Sequence, residues 1–83
     1  MVDPELPSAT DYVTLGRALR ALRTAAGLRQ EDAAAIIGIR ATFISSIENG
    51  HRGCRFHTLL AILRAYNADL HQLARAFDAA QSN

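Results

Sequence analysis

Cysteine is nearly absent from this sequence. Cys54 is the only one, so no internal disulfide can form, which agrees with a reducing compartment. No apolar run approaches the roughly 18 residues of a membrane span. Residues 1–11 lack the basic region and apolar stretch of a secretory signal. These absences argue against a disulfide-stapled secreted domain and a membrane protein, and we expect the chain to be cytoplasmic.

Lysine is absent altogether. All nine basic residues are arginine, whose planar guanidinium suits phosphate and guanine contacts, although GC-rich codon use alone would also produce this bias. The net charge is only +1, but it is unevenly distributed. Residues 12–64 hold eight arginines against three acidic residues, a net charge of +5, and the flanks hold one arginine against five acidic residues, a net charge of −4. The basic middle of the chain is therefore the part suited to an anionic partner.

Strand-type alternation of apolar and polar residues is also absent, and apolar residues recur instead at helical spacing. This pattern predicts an all-α domain at residues 11–80, after a flexible arm at residues 1–10. The predicted helices cover residues 11–25, 30–37, 41–48, 56–65 and 70–80. Gly16 inside the first helix should cost about 1 kcal/mol relative to Ala, so we expect it to pack closely against a neighbour.

Residues 30–49 have the layout of a helix-turn-helix. A polar helix start is followed by Ala34, which lets two helices approach closely, and by Gly38, which can take the positive φ of a sharp turn. Ile44 and Ile47 of the next segment would point back into a shared core. In this motif the second helix is held outside the domain, where its first turn can enter the major groove of DNA. Reading double-stranded DNA is therefore the function that this stretch favours.

The segments from Leu15 to Leu73 closely resemble the Cro and phage-repressor type of helix-turn-helix, the xenobiotic-response-element-like family. The resemblance rests on the joint spacing of Gly27-Leu28, Gln30, Ala34, Gly38, Ile44, Ile47 and Glu48-Asn49-Gly50. It implies a compact five-helix bundle of the lambda-repressor-like type, with the third helix as the recognition helix. It also implies a transcriptional regulator that binds DNA, usually as a two-fold homodimer, and we expect no cofactor.

The resemblance assigns DNA contacts to individual residues. Gln30, first in the second helix, matches a position that clamps a phosphate, and Arg29 stands where Ser or Thr usually caps this helix, so a phosphate contact would replace the cap. The residues matching the groove-facing part of the recognition helix are Arg40, Ala41, Thr42, Ser45 and Ser46. The loop that follows adds Asn49, His51, Arg52 and Arg55.

This recognition helix carries few side chains that can distinguish one base from another. Ala41 offers only a methyl contact to thymine, and the hydroxyl groups of Thr42 and Ser46 bind several bases with little discrimination. Arg40 can fork to guanine or hold a phosphate, and both roles stay open. Some specificity should therefore come from DNA shape and from the loop, where Arg55 resembles repressor side chains that enter a narrow minor groove, with a phosphate contact or solvent as its alternatives.

Two further expectations concern the scaffold. Arg23 and Glu48 match a partly buried ion pair of the family that ties the first helix to the end of the recognition helix. The candidates for the dimer interface are Leu70, Leu73 and Phe77, which either complete the core of the monomer or form a self-complementary patch. Two positions depart from the family pattern. Ala33 replaces a common Leu, which leaves the packing of the second helix open. Gly53-Cys54 stands where many members have Pro before the fourth helix, which suggests a less rigid loop with less certain DNA contacts.

Other functions have weaker support. Cys54 and His57 have the spacing of half a zinc site, but no second pair follows, so no metal is expected. As a redox switch, Cys54 would need a lowered pKa, which Arg52 and Arg55 could supply; an inert thiol is the simpler interpretation. No motif of an enzyme is present. The main alternative is a protein-interaction module, such as an antitoxin or a polymerase-contacting partner, and controllers of restriction systems also fit the resemblance.

Overall fold

The computed structural model describes residues 9–82, which form five helices and, within that range, no strand. The helices are α1 (Ala9–Ala25), α2 (Gln30–Ile37), α3 (Ala41–Glu48), α4 (Phe56–Ala65) and α5 (Leu70–Gln81). The prediction of an all-α fold is confirmed, and the bounds of α2, α3 and α4 are as predicted. None of these described helices is both long and apolar enough to cross a bilayer.

The structure changes the ends of the predicted domain slightly. α1 begins at Ala9 instead of Asp11, so Ala9 and Thr10 are helical and do not belong to the arm. The remainder of the predicted arm, residues 1–8, lies outside the described residues. α5 continues to Gln81, one residue beyond the predicted end.

One hydrophobic core joins the five helices. Its buried members are Ala18, Leu19, Ala33, Ala34, Ile44, Ile47, Ile62, Leu63, Tyr66 and Leu73. Ala33 is fully enclosed, so the small side chain that replaces a common Leu still packs against its neighbours. Burying an Ile or Leu side chain contributes about 1.5 to 3 kcal/mol each. The core therefore holds α2 and α3 in fixed relative positions.

The last helix completes this core on one side. Asp69 caps α5, because its carboxylate accepts a hydrogen bond from the Gln72 amide at 2.8 Å and the Gln72 side chain accepts one from the Asp69 amide at 2.9 Å. Leu73 is only 9% exposed and Phe77 packs partly buried against the core, whereas Leu70 is 47% exposed. Leu73 thus contributes to the core of the monomer, which is one of the two roles left open for it, and its part in a dimer stays a prediction.

α1 packs directly on the end of α3 because it carries a glycine at the crossing point. A Cβ atom at Gly16 would lie 2.6 Å from the backbone oxygen of Glu48 and even closer to that of Ile47. The predicted close packing of Gly16 is therefore confirmed. This contact sets the distance between α1 and the C-terminal end of the recognition helix.

Gly16→Ala should lower the free energy of unfolding by about 1 to 3 kcal/mol, because the added methyl group meets backbone atoms that cannot move aside. Helix propensity alone predicts the opposite sign, a gain of about 1 kcal/mol. Urea unfolding measures the difference, and Arg17→Ala, an exposed neighbour, should stay within about 0.5 kcal/mol of wild type. A Gly16→Ala protein as stable as wild type would contradict this account of the α1–α3 contact.

Candidate nucleic-acid interface

A left-handed glycine separates α2 from α3. Gly38 has φ 84°, and its amide donates to the Ala34 carbonyl at 2.8 Å, as does the Ile39 amide at 3.1 Å. The positive φ predicted for Gly38 is therefore confirmed. α3 then begins after Arg40, which is extended and acts as the N-cap residue. The turn is short enough to hold the two helices as one unit.

α3 has a buried side and an outward side. Ile44 and Ile47 lie in the core, whereas Arg40 and Thr42 are exposed. The other predicted recognition residues, Ala41, Ser45 and Ser46, are half-buried. The single acidic residue of α3, Glu48, is buried. The outward side therefore presents hydroxyl groups and an arginine without a carboxylate among them.

The C-terminal end of α3 is tied to α1 by a buried ion pair. Arg23 donates to Glu48 through Nε to Oε2 at 2.6 Å and through Nη2 to Oε1 at 2.9 Å. Its Nη1 donates to the Leu28 carbonyl at 2.7 Å. The hydrogen bond with Glu48 raises the pKa of Arg23 above its already high ordinary value. The ion pair that the resemblance implies is formed, and its two-pronged geometry is the strong form of such a contact.

Gln30 also contacts this ion pair, and nothing in the spacing of the sequence reveals that contact. Its Nε2 donates to Glu48 Oε1 at 3.0 Å, the same oxygen that accepts from Arg23. The first residue of α2 is thus bonded to the last residue of α3. The phosphate contact of Gln30 stays a prediction. The side chain that would make it is held by its hydrogen bond to Glu48.

Arg29 contacts two acidic residues in the first turn of α2. Its amide donates to Asp32 Oδ2 at 3.0 Å, and its guanidinium contacts both oxygens of Asp32 at 3.2 Å and lies 3.8 Å from Glu31. The hydrogen bonds from Arg29 hold the pKa of Asp32 below its ordinary value. Asp32 therefore caps the Arg29 amide, and a phosphate contact by Arg29, still a prediction, would compete with these carboxylates.

The loop after α3 turns back along the helix. Gly50 is left-handed, with φ 76°, and the His51 amide donates to the Ser46 carbonyl at 2.9 Å. This turn places the Arg52 guanidinium over the Phe43 ring, with Cζ 4.3 Å from the ring centroid. A shallow depression of about 290 Å³ lies there, lined by Ile39, Arg40, Thr42, Phe43, Ser46 and Arg52.

A second, more open depression of about 640 Å³ adjoins the first along the loop. It is lined by Tyr12, His51, Arg52, Gly53, Cys54 and Arg55. Gly53 lies against Tyr12, and a Cβ atom there would come within 2.6 Å of the ring. Gly53 therefore leaves room for the Tyr12 ring, which a side chain at this position would have to displace.

Cys54 does not have the environment of a redox switch. Burial raises the pKa of its thiol, and the nearby Arg52 offsets this only in part. A reactive thiol needs a lowered pKa. The structure thus favours the simpler interpretation of Cys54 as an inert thiol packed against the core.

Most of the predicted DNA contacts fall into three places. Arg40, Thr42, Ser46 and Arg52 line the first depression, and His51 and Arg55 line the second with Arg52 common to both. Arg29 and Gln30 lie at the start of α2. Asn49 and Ser45 contact each other, Nδ2 to Oγ at 3.3 Å. Sequence reasoning missed Phe43 and Tyr12 as parts of this surface, because their spacing from the loop has no helical period.

Comparisons with known proteins agree with this geometry. A family model described as a helix-turn-helix domain matches residues 14–76. The structure is similar to that of the restriction-modification controller protein C.AhdI from Aeromonas hydrophila, with 33% identity, a TM-score of 0.72, and coverage of 77% of this chain and 97% of that chain. No curated protein sequence matches this chain significantly.

Two further solved structures share the fold. The clp gene regulator ClgR from Corynebacterium glutamicum has 20% identity and a TM-score of 0.80, with coverage of 92% of this chain and 79% of that chain. The hypothetical transcription factor NHTF from Neisseria has 24% identity and a TM-score of 0.69, with coverage of 88% of this chain and 83% of that chain. At these identities the similarity bears on the fold alone.

Arg23→Met should lower the free energy of unfolding by about 3 to 5 kcal/mol, because it leaves Glu48 buried without its charged partner. The double variant Arg23→Met/Glu48→Leu should recover most of this loss, since it removes both charges. Thermal and urea unfolding measure the stability of both variants. Arg20→Met is the control, since Arg20 is exposed on the same helix. An Arg23→Met protein with the melting temperature of wild type would mean that the ion pair does not hold α3 in place.

Proposed function

This chain belongs to the Cro and phage-repressor type of helix-turn-helix family, whose members are DNA-binding transcriptional regulators, and we propose that it reads a specific double-stranded sequence as a two-fold homodimer. The observation that carries the proposal is the outward side of α3. Its first turn is accessible at Arg40 and Thr42, while its inner side is locked into the core by Ile44 and Ile47. Such a helix can enter a major groove without unfolding its scaffold.

The charges around α3 suit the phosphates on either side of a groove. Arg40 lies at the start of the helix, and His51, Arg52 and Arg55 are exposed on the loop beyond its end. Glu48 is neutralised by Arg23 inside the protein. We infer that Arg40, Arg55 and the amide groups at the start of α2 position the protein on the backbone, while the outward side of α3 and Arg52 face the base edges.

The exposed start of α5 is the surface that we assign to the dimer. Leu70 is 47% exposed and borders a depression of about 360 Å³ that also includes Leu60 and His71. A domain of this size buries a modest core, so a partner that covers Leu70 would add stability. Two-fold pairing would place the recognition helices about 34 to 36 Å apart, one turn of DNA, and would require a palindromic operator.

One similar protein of known structure suggests which genes this regulator controls. C.AhdI, at 33% identity, is a restriction-modification controller protein. We infer control of restriction-modification genes as the most specific role for this chain. Neighbouring genes for a methyltransferase and an endonuclease would support that role, and a neighbouring toxin gene would favour an antitoxin instead.

Selection from a random duplex library tests the proposed function. Wild type should enrich a two-fold sequence, and its affinity should fall steeply as salt rises, because bound arginines release counterions from the phosphates. Thr42→Ala should relax the preference at one base pair of each half-site by a factor corresponding to about 1 kcal/mol. Thr24→Ala is the matched control, since Thr24 is exposed on α1 and its hydroxyl bonds within that helix.

Absence of any enriched sequence, together with recovery of a stoichiometric protein partner in a pull-down, would contradict DNA reading and favour the interaction module. A Thr42→Ala protein with unchanged base preference would remove Thr42 from the base contacts. Thr24→Ala should match wild type in both stability and selection.

Leu70→Asp should shift the protein towards monomers, because a charge would be buried at the proposed interface. Sedimentation at several protein concentrations measures the effect, and operator affinity should fall with it. Ile36→Asp is the control, since Ile36 is 60% exposed on a different helix and lies outside the proposed interface. A wild-type protein that stays monomeric with and without operator DNA would contradict the dimer.

A further inference from the structure

We propose that Phe43 is a positioning residue whose ring holds the Arg52 guanidinium at the side of the recognition helix, so that Arg52 reads a guanine in the major groove. The inference rests on the proposed function, because it names a specificity-determining side chain of the same surface. It shifts the main base contact from α3 itself to the loop that follows.

The backbone directs Arg52 to this position. Gly50 reverses the chain with a φ of 76°, and the His51 amide is bonded to the Ser46 carbonyl at 2.9 Å. A Cβ atom at Gly50 would also lie 2.7 Å from Cγ2 of Val13 on α1. Only glycine satisfies both conditions, so the path of the loop is fixed before Arg52 is reached.

The contacts of Arg52 fix the plane of its guanidinium. One face lies over the Phe43 ring at 4.3 Å from Cζ to the centroid, and Nε donates to the Gly53 carbonyl at 3.3 Å. The Nη1 and Nη2 atoms at the far end have no partner within residues 9–82. That end is the pair of donors that matches O6 and N7 of guanine.

The position of the Phe43 ring is fixed by packing. Phe43 lies between Thr42 and Ile44 on α3 and packs partly buried against the core. The ring therefore places the guanidinium beside the recognition helix, while its Nε stays bonded to the loop through the Gly53 carbonyl. Since Thr42 and Ser46 line the same depression, the end of Arg52 is held beside the hydroxyl groups that face the bases.

The side chain of Arg40 is less ordered for guanine recognition than that of Arg52. The Arg40 backbone is fixed as the N-cap of α3, but its side chain is exposed and has no hydrogen-bond or ion-pair partner within the described residues. Ordering a free arginine on binding costs conformational entropy, and the stacking of Arg52 on Phe43 reduces that cost for Arg52. A phosphate needs only a nearby positive charge, whereas a fixed plane serves two-pronged recognition of a base.

The test measures affinity for the selected operator and for duplexes that replace its guanine in each half-site, at several salt concentrations. Arg52→Ala should reduce the preference for that guanine by about 5- to 150-fold, the range of one two-pronged contact. Phe43→Leu, which keeps an apolar side chain but removes the ring face, should reduce it at the same position by about 2- to 5-fold. Phe43→Tyr retains the ring and should retain the preference.

Arg75→Ala is the arginine control, since Arg75 is exposed on α5 outside the proposed DNA surface, and it should leave the guanine preference unchanged. Melting temperatures separate base preference from folding, and the exposed Arg52 makes its variant informative even if Phe43→Leu is less stable. An equal loss of affinity for every duplex in Arg52→Ala would make Arg52 a phosphate contact and overturn the inference while the proposed function stands. A wild type that selects no sequence would overturn both.

Discussion

The structure depends on the buried contact between Arg23 and Glu48. It joins α1 to the end of α3, and Gln30 extends it to the start of α2 through the same carboxylate. One acidic side chain thus fastens three helices and is itself neutralised. Without this neutralisation, the recognition helix would end in a buried charge that repels DNA. The carboxylate therefore secures the position of α3 and removes a charge that would oppose DNA binding.

Much of the fold was predictable because it depends on local patterns. Helical spacing of apolar residues set the bounds of α2, α3 and α4, and Gly38 marked the turn because glycine adopts positive φ without steric cost. Gly16 was recognisable as a close contact because a glycine inside a helix is otherwise unfavourable. The partner at that contact, the end of α3, was not evident from the sequence.

Two unpredicted contacts of the candidate site join residues that are separated along the chain. Gln30 contacts Glu48 eighteen residues later, and Phe43 supports Arg52 from the preceding helix. Such pairs have no period that a sequence can display, because they depend on how a turn redirects the chain. Leu73 was ambiguous for a similar reason, since an apolar helix face looks the same whether it completes a monomer or covers a partner.

The two sides of α3 carry separate tasks, and this has an evolutionary consequence. Ile44, Ile47 and Glu48 hold the helix, whereas Thr42 and Ser46 are free of the core and the ion pair. Substitutions at the outward positions can therefore accumulate with little loss of stability. Duplicated copies of this gene could diverge to new operators by a few point changes, because the scaffold would not have to be rebuilt each time.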